Sequence, residues 1–419
     1  MRIRSILNSS IGNLLEWYDF GLYALFSPVL SRLFFPNTDA HTALLMTFSV
    51  LAIGFMCRPL GALLFGYLGD SQGRTKALRL SILMISLPTL LIGCLPTYAS
   101  VGIAAPLLLI FIRMWQGVSL GGEYSGTLIY LTETAPKKQR AMITSFAPMS
   151  ANLGILLAAL MSTAMSYLFN DAQFQWIGWR IPYIFSGVIS LYVYYKRLNL
   201  QETVVFNDLK AKHTLVKNPP LYALKHNIPE MLRILGMVCM GSTFYYLCFI
   251  YMPTFLTQKL HYSLTKSSSL MTCYIALMLV LVPLAGMLCD RISRRKILLF
   301  NALMIGCITI PGFYFLSAQY EIGMLLILFL FTIASSLEQA ATCVAVVENY
   351  PPPARYSGLS LSYNISNAIF GGTAPLVCEL LIGKTNSLLS PAFYIVLCAL
   401  ITGCVIYFTV PDTRHYDLL

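Results

Sequence analysis

Long runs of apolar residues alternate with short polar segments along almost the whole chain. Twelve of these runs have the composition of helices, and most exceed the ~20 residues that a helix needs to cross a hydrocarbon core of ~30 Å. The run at 180–197 has the weakest pattern, because Pro182 and a Tyr-rich end interrupt it. The pattern predicts an all-α membrane protein of twelve transmembrane helices. They are expected at 10–35, 42–68, 78–98, 102–133, 141–169, 180–197, 231–257, 266–289, 297–318, 322–348, 356–382 and 390–410.

Two short charged segments between these runs repeat each other. Residues 66–78 read GYLGDSQGRTKAL and residues 286–298 read GMLCDRISRRKIL, with Gly, Asp, Arg, Lys and Leu at the same spacing. Duplicated membrane segments of this kind are typical of alternating-access carriers built from two homologous halves. The duplication therefore predicts two pseudo-symmetric six-helix bundles. We expect one bundle at 1–197, a basic cytoplasmic loop at 198–230, and a second bundle with a short tail at 231–419.

A second pattern supports the duplication and predicts a gate. The sequence E-x-x-P-x-x-x-R occurs at 133–140 and again at 348–355, in both cases at the end of a predicted helix. A single exposed ion pair contributes only ~0–1 kcal/mol, but a network of pairs can favour one of two conformations. Each loop Asp could also cap a neighbouring helix, and charge anchoring with such caps is the alternative to a gate. The predicted cytoplasmic gate consists of Asp70, Arg74, Glu133, Arg140, Asp290, Arg294, Glu348 and Arg355.

Composition indicates that the chain lies in a membrane, and the placement of its charges indicates its orientation there. The chain is 57% hydrophobic and 11% charged, too few charges to cover a soluble surface, so the bilayer must act as solvent. Most Lys and Arg residues fall at the predicted termini and even-to-odd helix loops, among them Arg2, Arg4, Arg197 and Arg414. The positive-inside rule then places both termini in the cytoplasm, with the chain in the bacterial inner membrane. No basic stripe on a soluble domain indicates nucleic-acid binding.

Several kinds of chemistry are excluded by the same inspection. The 11 cysteines are scattered through apolar runs without a C-x-x-C pair, so we expect structural thiols and no metal site. No phosphate-binding G-x-x-x-x-G-K-[ST] sequence and no nucleophile constellation occur, so we expect neither an ATP-driven pump nor an enzyme. The expected partners are a small-molecule substrate, protons and the lipid bilayer. We expect a monomer without a cofactor, with the proton gradient as its energy source.

A set of motifs resembles one family of transporters. The motifs are Gly12-Asn-Leu-Leu-Glu16-Trp-Tyr-Asp19, Arg58-Pro-Leu-Gly61, Arg113 to Glu123, Trp179-Arg-Ile-Pro182 and Arg355 to Pro375. Together with the duplicated loops they resemble the major facilitator superfamily, in particular its metabolite:proton symporter branch of proline/betaine, citrate, shikimate and 2-oxoglutarate carriers. The resemblance implies a major facilitator fold and import of a small carboxylate-bearing or zwitterionic metabolite with protons. Ser71, Thr75 and Ser293 depart from the family's loop, which would weaken the gate.

Ionisable residues inside a membrane are costly and usually functional. The amino-terminal half carries Glu16, Asp19, Arg58, Arg113 and Glu123 within its predicted helices. At 1.5 Å per residue, Asp19 lies ~15 Å from the start of the first helix and Arg113 ~16 Å from the outer end of the fourth, so both reach the midplane. We expect a coupling pair, in which a substrate carboxylate takes Arg113 while a proton takes Asp19. The alternative is a static ion pair that holds the two helices together.

The partners of the other buried charges stay open at this point. Arg58 could pair with Glu16, Asp19 or Glu123. Glu123 and Glu338 occupy equivalent positions in the two halves, either as proton sites or an inner gate, or as carboxylates bonded to neighbouring groups. The predicted proton-coupling residues are Asp19, Glu16, Glu123 and Glu338.

Aromatic and amide side chains predict a substrate-facing surface. The seventh helix carries Phe244, Tyr245, Tyr246 and Tyr251, and the eleventh carries Tyr363, Asn364, Asn367 and Phe370. Aromatic faces suit ammonium groups and amides suit carboxylates, although many of these rings would simply pack against lipid or other helices. The predicted substrate-binding residues are Arg113, Arg58, Tyr23, Tyr245, Tyr246, Asn364 and Asn367. The rival functions are a proton-antiport exporter of drugs or siderophores, which the buried arginines disfavour, and a non-transporting membrane receptor.

Overall fold

The computed structural model describes residues 3–37, 39–413 and 417–418, so Arg2 and Arg414 of the topology prediction lie outside it. That part of the chain is mostly helical and forms no strand, which confirms the all-α prediction. Its long helical segments are here numbered α1 to α12. They are α1 Ile3–Phe34, α2 Thr42–Ser71, α3 Arg74–Cys94, α4 Ala104–Thr134, α5 Lys137–Leu168, α6 Arg180–Arg197, α7 Ile228–Gln258, α8 Leu264–Arg291, α9 Arg294–Ser317, α10 Glu321–Glu348, α11 Pro352–Thr385 and α12 Ser390–Thr409.

Ten of these segments, α2 to α5 and α7 to α12, are long and apolar enough to cross a membrane, counted over the described residues. The two that fall short carry charge. α1 has Glu16 and Asp19 in its middle, and α6 has Arg180, Lys196 and Arg197 at its ends. Even so, α6 coincides with the predicted run at 180–197, whose pattern is the weakest of the twelve.

A seam of glycines joins α2 to α4. A Cβ atom at Gly61 or Gly117 would overlap a backbone carbonyl oxygen of the facing helix, that of Gly54 in the second case. A Cβ at Gly121 would overlap the carbonyl oxygen of Arg58. Only glycine allows two helix backbones to approach this closely. The seam therefore holds α2 and α4 together and fixes the relative heights of the side chains they carry.

Two long helices of the carboxyl-terminal half contain a widened π-helical turn. The turns cover Tyr246–Tyr251 in α7 and Asn367–Gly372 in α11. They pack on each other, because a Cβ at Gly371 would lie 2.9 Å from the ring of Tyr246. Turns of this kind interrupt the regular ladder of hydrogen bonds and occur frequently at functional sites.

The two halves share a hydrophobic core at one end of the molecule, the end that carries the duplicated loops, here called the charged end. One buried apolar cluster combines Phe65 and Leu128 of the first half with Val344 and Leu359 of the second. Two further large clusters draw their buried residues from one half each. Two short helices of the linker, Val204–Ala211 and Pro219–His226, pack on the charged end. The predicted basic loop is therefore partly helical.

Candidate functional site

Asp19 on α1 and Arg113 on α4 form a buried ion pair. Arg113 Nη1 donates to Asp19 Oδ2 at 2.9 Å, and both side chains are almost completely buried. Gln116 Nε2 donates to the same oxygen at 3.1 Å and to Thr89 Oγ1 at 2.9 Å. The guanidinium lies 3.8 Å from the centre of the Tyr23 ring. The structure thus brings together the two residues that the matched depths predict, and adds Gln116 and Thr89, which the sequence analysis missed.

A small enclosed space, here called the acid cavity, lies beside this pair. It measures about 20 Å³, and Glu16, Asp19, Phe55, Arg113 and Gln116 are among the residues that line it. Among the described residues, both Glu16 carboxylate oxygens, Asp19 Oδ1 and Gln116 Oε1 are buried without a hydrogen-bond partner. Buried polar atoms normally have partners, so this concentration of unpaired oxygens marks a site with a further function.

A larger cavity of about 70 Å³ lies between the two halves. Arg58 on α2 lines it, as do Tyr245 and Tyr246 on α7, Glu338 on α10 and Asn367 on α11. Three of the predicted substrate residues, Arg113, Tyr23 and Asn364, are not among its lining residues. The central cavity therefore contains one basic and one acidic side chain, and five of its lining residues are aromatic.

Arg58 is held in place by an amide of the opposite half. Its Nε donates to Asn364 Oδ1 at 2.9 Å, and its guanidinium lies 5.2 Å from the centre of the Phe55 ring. No carboxylate of the described residues comes within 4.0 Å of it. Asn364 Nδ2 in turn donates to the carbonyl oxygens of Gly121 and Ser360, at 3.0 and 2.8 Å. Both N–H groups of the Asn364 amide are thus bonded within the protein, and its Oδ1 helps to position Arg58.

A chain of polar side chains crosses the central cavity wall from α7 to α10. Tyr245 Oη donates to Asn152 Oδ1 at 2.9 Å, and Asn152 Nδ2 donates to Gln339 Oε1 at 3.0 Å. Nearby, the rings of Tyr124 and Tyr363 stack with centres 5.2 Å apart. The sequence analysis missed Asn152 and Gln339, because a single amide in an apolar helix carries no motif.

Glu123 and Glu338 are equivalent in sequence but differ in their surroundings. Glu123 on α4 forms a fully buried ion pair with Arg197 on α6, including a bond of 2.8 Å from Nη1 to Oε2, and also accepts from Ser81. That geometry favours the alternative in which Glu123 has a structural role. Glu338 lines the central cavity, and no basic side chain of the described part lies within 4.0 Å of it. The sequence analysis counted Arg197 as a topology charge and so missed its pairing.

The charged end is held by two reciprocal helix caps. Asp70 of the first half accepts from the backbone N–H groups of Tyr356 and Ser357 at 3.0 and 2.8 Å, at the start of α11. Asp290 of the second half accepts from the N–H groups of Ala141 and Met142 at 2.9 and 3.0 Å, near the start of α5. The caps that the sequence predicts are therefore present, and each is made across the two halves.

Ion pairs of the same residues complete this contact. Arg74 and Arg355 both pair with Glu133, at 3.3 and 2.8 Å. In the equivalent place, Arg294 and Arg140 pair with Glu348, at 3.3 and 2.9 Å. All eight predicted gate residues thus meet at one end. Seven of them are buried and Asp290 is partly buried, whereas the sequence analysis assumed exposed pairs, so removing one partner costs more than a surface pair would.

The departures from the family's loop have local explanations. Gly73 in the first loop has a φ of +119°, which requires glycine, whereas Ser293 in the second has a φ of −52°. Ser293 Oγ caps α9 by accepting from the N–H of Lys296 at 3.4 Å. Thr75 donates to Glu202 at 2.7 Å, so it also contributes to the charged end. These contacts do not support the prediction that Ser71, Thr75 and Ser293 weaken the gate.

The carboxyl tail docks at the same end. Thr413 Oγ1 donates to Glu348 Oε2 at 2.5 Å, and Thr203 makes the equivalent contact in the other half at 2.7 Å. On the surface, Lys137 Nζ donates to Asp417 Oδ1 at 2.8 Å, and this hydrogen bond holds the pKa of Asp417 below its usual range. The tail therefore ties the second half to the loop between α4 and α5.

These features define a class of protein before any comparison is made. Membrane-crossing helices surround a cavity between two halves that contains two charged side chains, and buried contacts between the halves close one end of it. This is the architecture of a multi-pass membrane transporter. The chain belongs to the Major Facilitator Superfamily, whose family model matches residues 10–375 and 234–418.

Individual relatives agree with this assignment. The chain is 32% identical over 432 residues to the proline/betaine transporter of Salmonella typhimurium (strain LT2), covering 99% of this chain and 84% of that protein. It is 31% identical over 431 residues to the proline/betaine transporter of Escherichia coli (strain K12), with the same coverage. Its fold matches the proton:xylose symporter XylE bound to 6-bromo-6-deoxy-D-glucose with a TM-score of 0.80 at 16% identity, over 99% of this chain and 97% of that one. These relatives confirm the resemblance on which the sequence analysis relied.

Proposed function

We propose that this chain is a secondary active importer of small zwitterions, driven by protons and working by alternating access. The observation that carries the proposal is the central cavity, which Arg58 and Glu338 line together with five aromatic side chains. The names of the proline/betaine transporters among the relatives support the same substrate chemistry.

Each end of a zwitterion has a matching group in this cavity. The planar fork of Arg58 suits a carboxylate, and Asn364 already holds that fork in position. An ammonium-type cation suits the Glu338 carboxylate and the faces of Tyr245 and Tyr246. A dicarboxylate would place its second charge near Glu338, and a lipophilic cation would meet Arg58. Like-charge repulsion therefore disfavours both of these cargoes.

The Asp19–Arg113 pair supplies the proton coupling in this proposal. Protonation of Asp19 would cancel its attraction for Arg113 and release the contact between α1 and α4. The carriage of protons by XylE, named as a symporter, supports this part of the proposal. Because Arg113 is bound by Asp19 and covered by Tyr23, we assign the substrate carboxylate to Arg58 and not to Arg113.

We further propose the topology that this mechanism needs. All twelve segments would cross the bacterial inner membrane as two six-helix bundles, 1–197 and 231–419, with 198–230 and both termini in the cytoplasm. The concentration of Lys and Arg at the charged end supports this orientation. The buried contacts there would then seal the cavity from the cytoplasm. The protein would act as a monomer without a cofactor.

Uptake by the purified protein in liposomes tests substrate and coupling together. With an inward proton gradient, radiolabelled glycine betaine and L-proline should accumulate, and a protonophore should abolish the accumulation. Citrate, 2-oxoglutarate and tetraphenylphosphonium should not accumulate. Proton-driven accumulation of citrate alone would overturn the zwitterion assignment, and proton-driven extrusion of tetraphenylphosphonium would favour the exporter.

A single variant tests the role of the acidic group. Glu338→Gln should raise the KM for glycine betaine about tenfold, since the loss of ~1.4 kcal/mol of binding free energy is typical of one removed charge contact. Glu321→Gln is the matched control, because Glu321 is exposed and pairs with Lys266 on the surface. Equal KM values for the two variants would remove Glu338 from the binding site.

A further inference from the structure

We propose that Glu16 is a second proton-binding carboxyl, separate from the Asp19–Arg113 pair, and that Arg58 links its protonation to substrate binding. The inference rests on the proposed function and adds to it a second proton and an order of events. It comes from three features: the unpaired oxygens of the acid cavity, the charges around Glu16, and the position of Arg58, which lines the central cavity and is one of the charges that act on Glu16.

The acid cavity holds a carboxylate without any hydrogen-bond donor among the described residues. Glu16 is 2% exposed, and both of its oxygens lack a partner. A buried ionised carboxylate in this state is costly, and binding a proton removes that cost. Asp19 Oδ1 and Gln116 Oε1, on two other lining residues, also lack partners, and so do the donors Nε and Nη2 of Arg113. Among the described residues, four acceptor oxygens thus stand against two donor nitrogens. A protonated Glu16 would supply a further donor.

The size of the cavity suits a proton-conducting connection. Its volume of about 20 Å³ exceeds the ~10–15 Å³ that one water molecule needs. Glu16 and Asp19 are three residues apart on α1, or ~4.5 Å along the helix axis. One water molecule could therefore bridge the two carboxyl groups. Protons would reach Glu16 by way of the Asp19 side, which lies farther from the closed charged end.

The charges that face Glu16 come from four helices, and most of them are already paired. They are Arg58 on α2, Glu123 on α4, Arg197 on α6 and Asp19 on its own helix α1. Glu123 and Arg197 neutralise each other in a buried ion pair, and Asp19 is neutralised by Arg113. Among these groups Arg58 alone has no carboxylate within 4.0 Å. Among the surrounding charges, Arg58 therefore has the greatest influence on the charge state of Glu16, and burial acts against ionisation.

Arg58 also belongs to the substrate cavity, and this connects the two events. The Phe55 ring separates the cavities: it lines the acid cavity and contacts the Tyr246 ring of the central cavity, with centres 6.5 Å apart. When a substrate carboxylate binds Arg58, it neutralises the cation that favours ionised Glu16. Glu16 then takes a proton from the outward-facing water, and its O–H bond forms without any other bond breaking in the protein. By linkage, protonation of Glu16 must strengthen substrate binding by the same factor.

The test is the number of protons carried per substrate in Glu16→Gln, measured by parallel proton and radiolabel fluxes in liposomes. Gln mimics the protonated carboxyl, so this number should fall by one relative to the parent while uptake down a substrate gradient continues. The KM for glycine betaine should become nearly independent of pH. Glu321→Gln, which makes the same change at an exposed site, should keep the parent's ratio and pH dependence.

Three results would overturn the inference. An unchanged proton ratio in folded Glu16→Gln would make Glu16 structural, while proton-driven uptake by the parent would still support the proposed function. Sodium-dependent uptake that a protonophore does not affect would indicate that the acid cavity binds a sodium ion and not a proton. If the parent protein transports none of the tested substrates, the proposed function fails. The protonation of Glu16 can then still be measured by infrared difference spectra recorded at several pH values. A protonated carboxyl band that Glu16→Gln retains would then refute it.

Discussion

At the scale of single residues, the sequence predicts a buried ion pair only where both partners lie at the same depth in the membrane. Asp19 and Arg113 meet because both lie near the middle of long helices, which counting along the chain reveals. The partner of Arg58 could not be found in this way, because it is a neutral amide, Asn364, brought from the other half. Arg197 was missed because its position at the end of α6 looks like that of a topology charge.

Asp19→Asn tests the coupling pair. The neutral amide resembles protonated Asp, so we expect the variant to lose uphill accumulation of substrate in a proton gradient. Exchange of labelled for unlabelled substrate across the membrane should continue, because that exchange needs no net proton movement. Full proton-driven accumulation by Asp19→Asn would contradict the assignment.

Two matched substitutions separate the roles of the buried arginines. Arg58→Lys keeps the charge but loses the fork that Asn364 holds, so we expect the KM to rise about tenfold, or ~1.4 kcal/mol. Arg113→Lys should mainly lower the maximal rate, because Arg113 does not line the central cavity. Kinetics of uptake in liposomes distinguish the two effects. A higher KM for Arg113→Lys together with a lower maximal rate for Arg58→Lys would instead assign the substrate carboxylate to Arg113.

At the scale of helices, apolar runs predict the long segments well and their irregularities poorly. The run at 42–68 agrees with α2 to within a few residues, because covering a membrane requires continuous apolar sequence. The π-helical turns in α7 and α11 leave no such pattern, because they depend on how the two helices pack on each other. The linker helices were also missed, since each has only eight residues.

The glycine seam offers a test of how tightly α2 and α4 are joined. Gly61→Ala should destabilise the folded protein by about 1–3 kcal/mol or more, because the new methyl group would overlap the backbone of α4. Gly383→Ala on α11 is the matched control, since nothing lies within 4 Å of its added Cβ. Thermal unfolding in detergent compares the two. An equal melting temperature for both variants would show that the helices can separate.

At the scale of the whole molecule, the duplicated motifs predict which residues come together. They do not predict how far these residues are buried. All eight predicted gate residues come together, although the sequence places them in polar loops. Their burial follows from the linker helices and the carboxyl tail, which pack around the same end. The sequence does repeat Glu202-Thr203 as Asp412-Thr413, but this repeat does not show how far the linker helices and the tail cover the charged end.

Asp70→Asn should loosen the charged end without unfolding the chain. Asn can still accept from the Ser357 amide, so we expect a loss of ~1–2 kcal/mol, which shifts the ratio of conformations roughly five- to thirtyfold. The native Cys343 lines the central cavity and can report this, in a chain from which every other cysteine has been replaced. In inside-out vesicles it should react faster with a membrane-impermeant thiol reagent.

Asp208→Asn is the control for this measurement, because Asp208 makes an exposed pair with Lys212 on a linker helix. Its labelling rate should equal that of the parent. Asp290→Asn should behave like Asp70→Asn, since it removes the equivalent cap from the other half. Parent-like labelling in both cap variants would mean that these loops anchor the topology and do not act as a gate.

The reciprocal caps have a consequence for how such a chain could have arisen. The Asp in a loop of each half caps the amino-terminal end of a helix in the other half. The same reciprocal arrangement occurs in a two-fold symmetric dimer. A half-length ancestor with one such loop and one such helix could satisfy both by pairing with a second copy of itself. Gene duplication and fusion would then have inherited a working interface. The two copies were afterwards free to diverge, as the backbones at Gly73 and Ser293 have done.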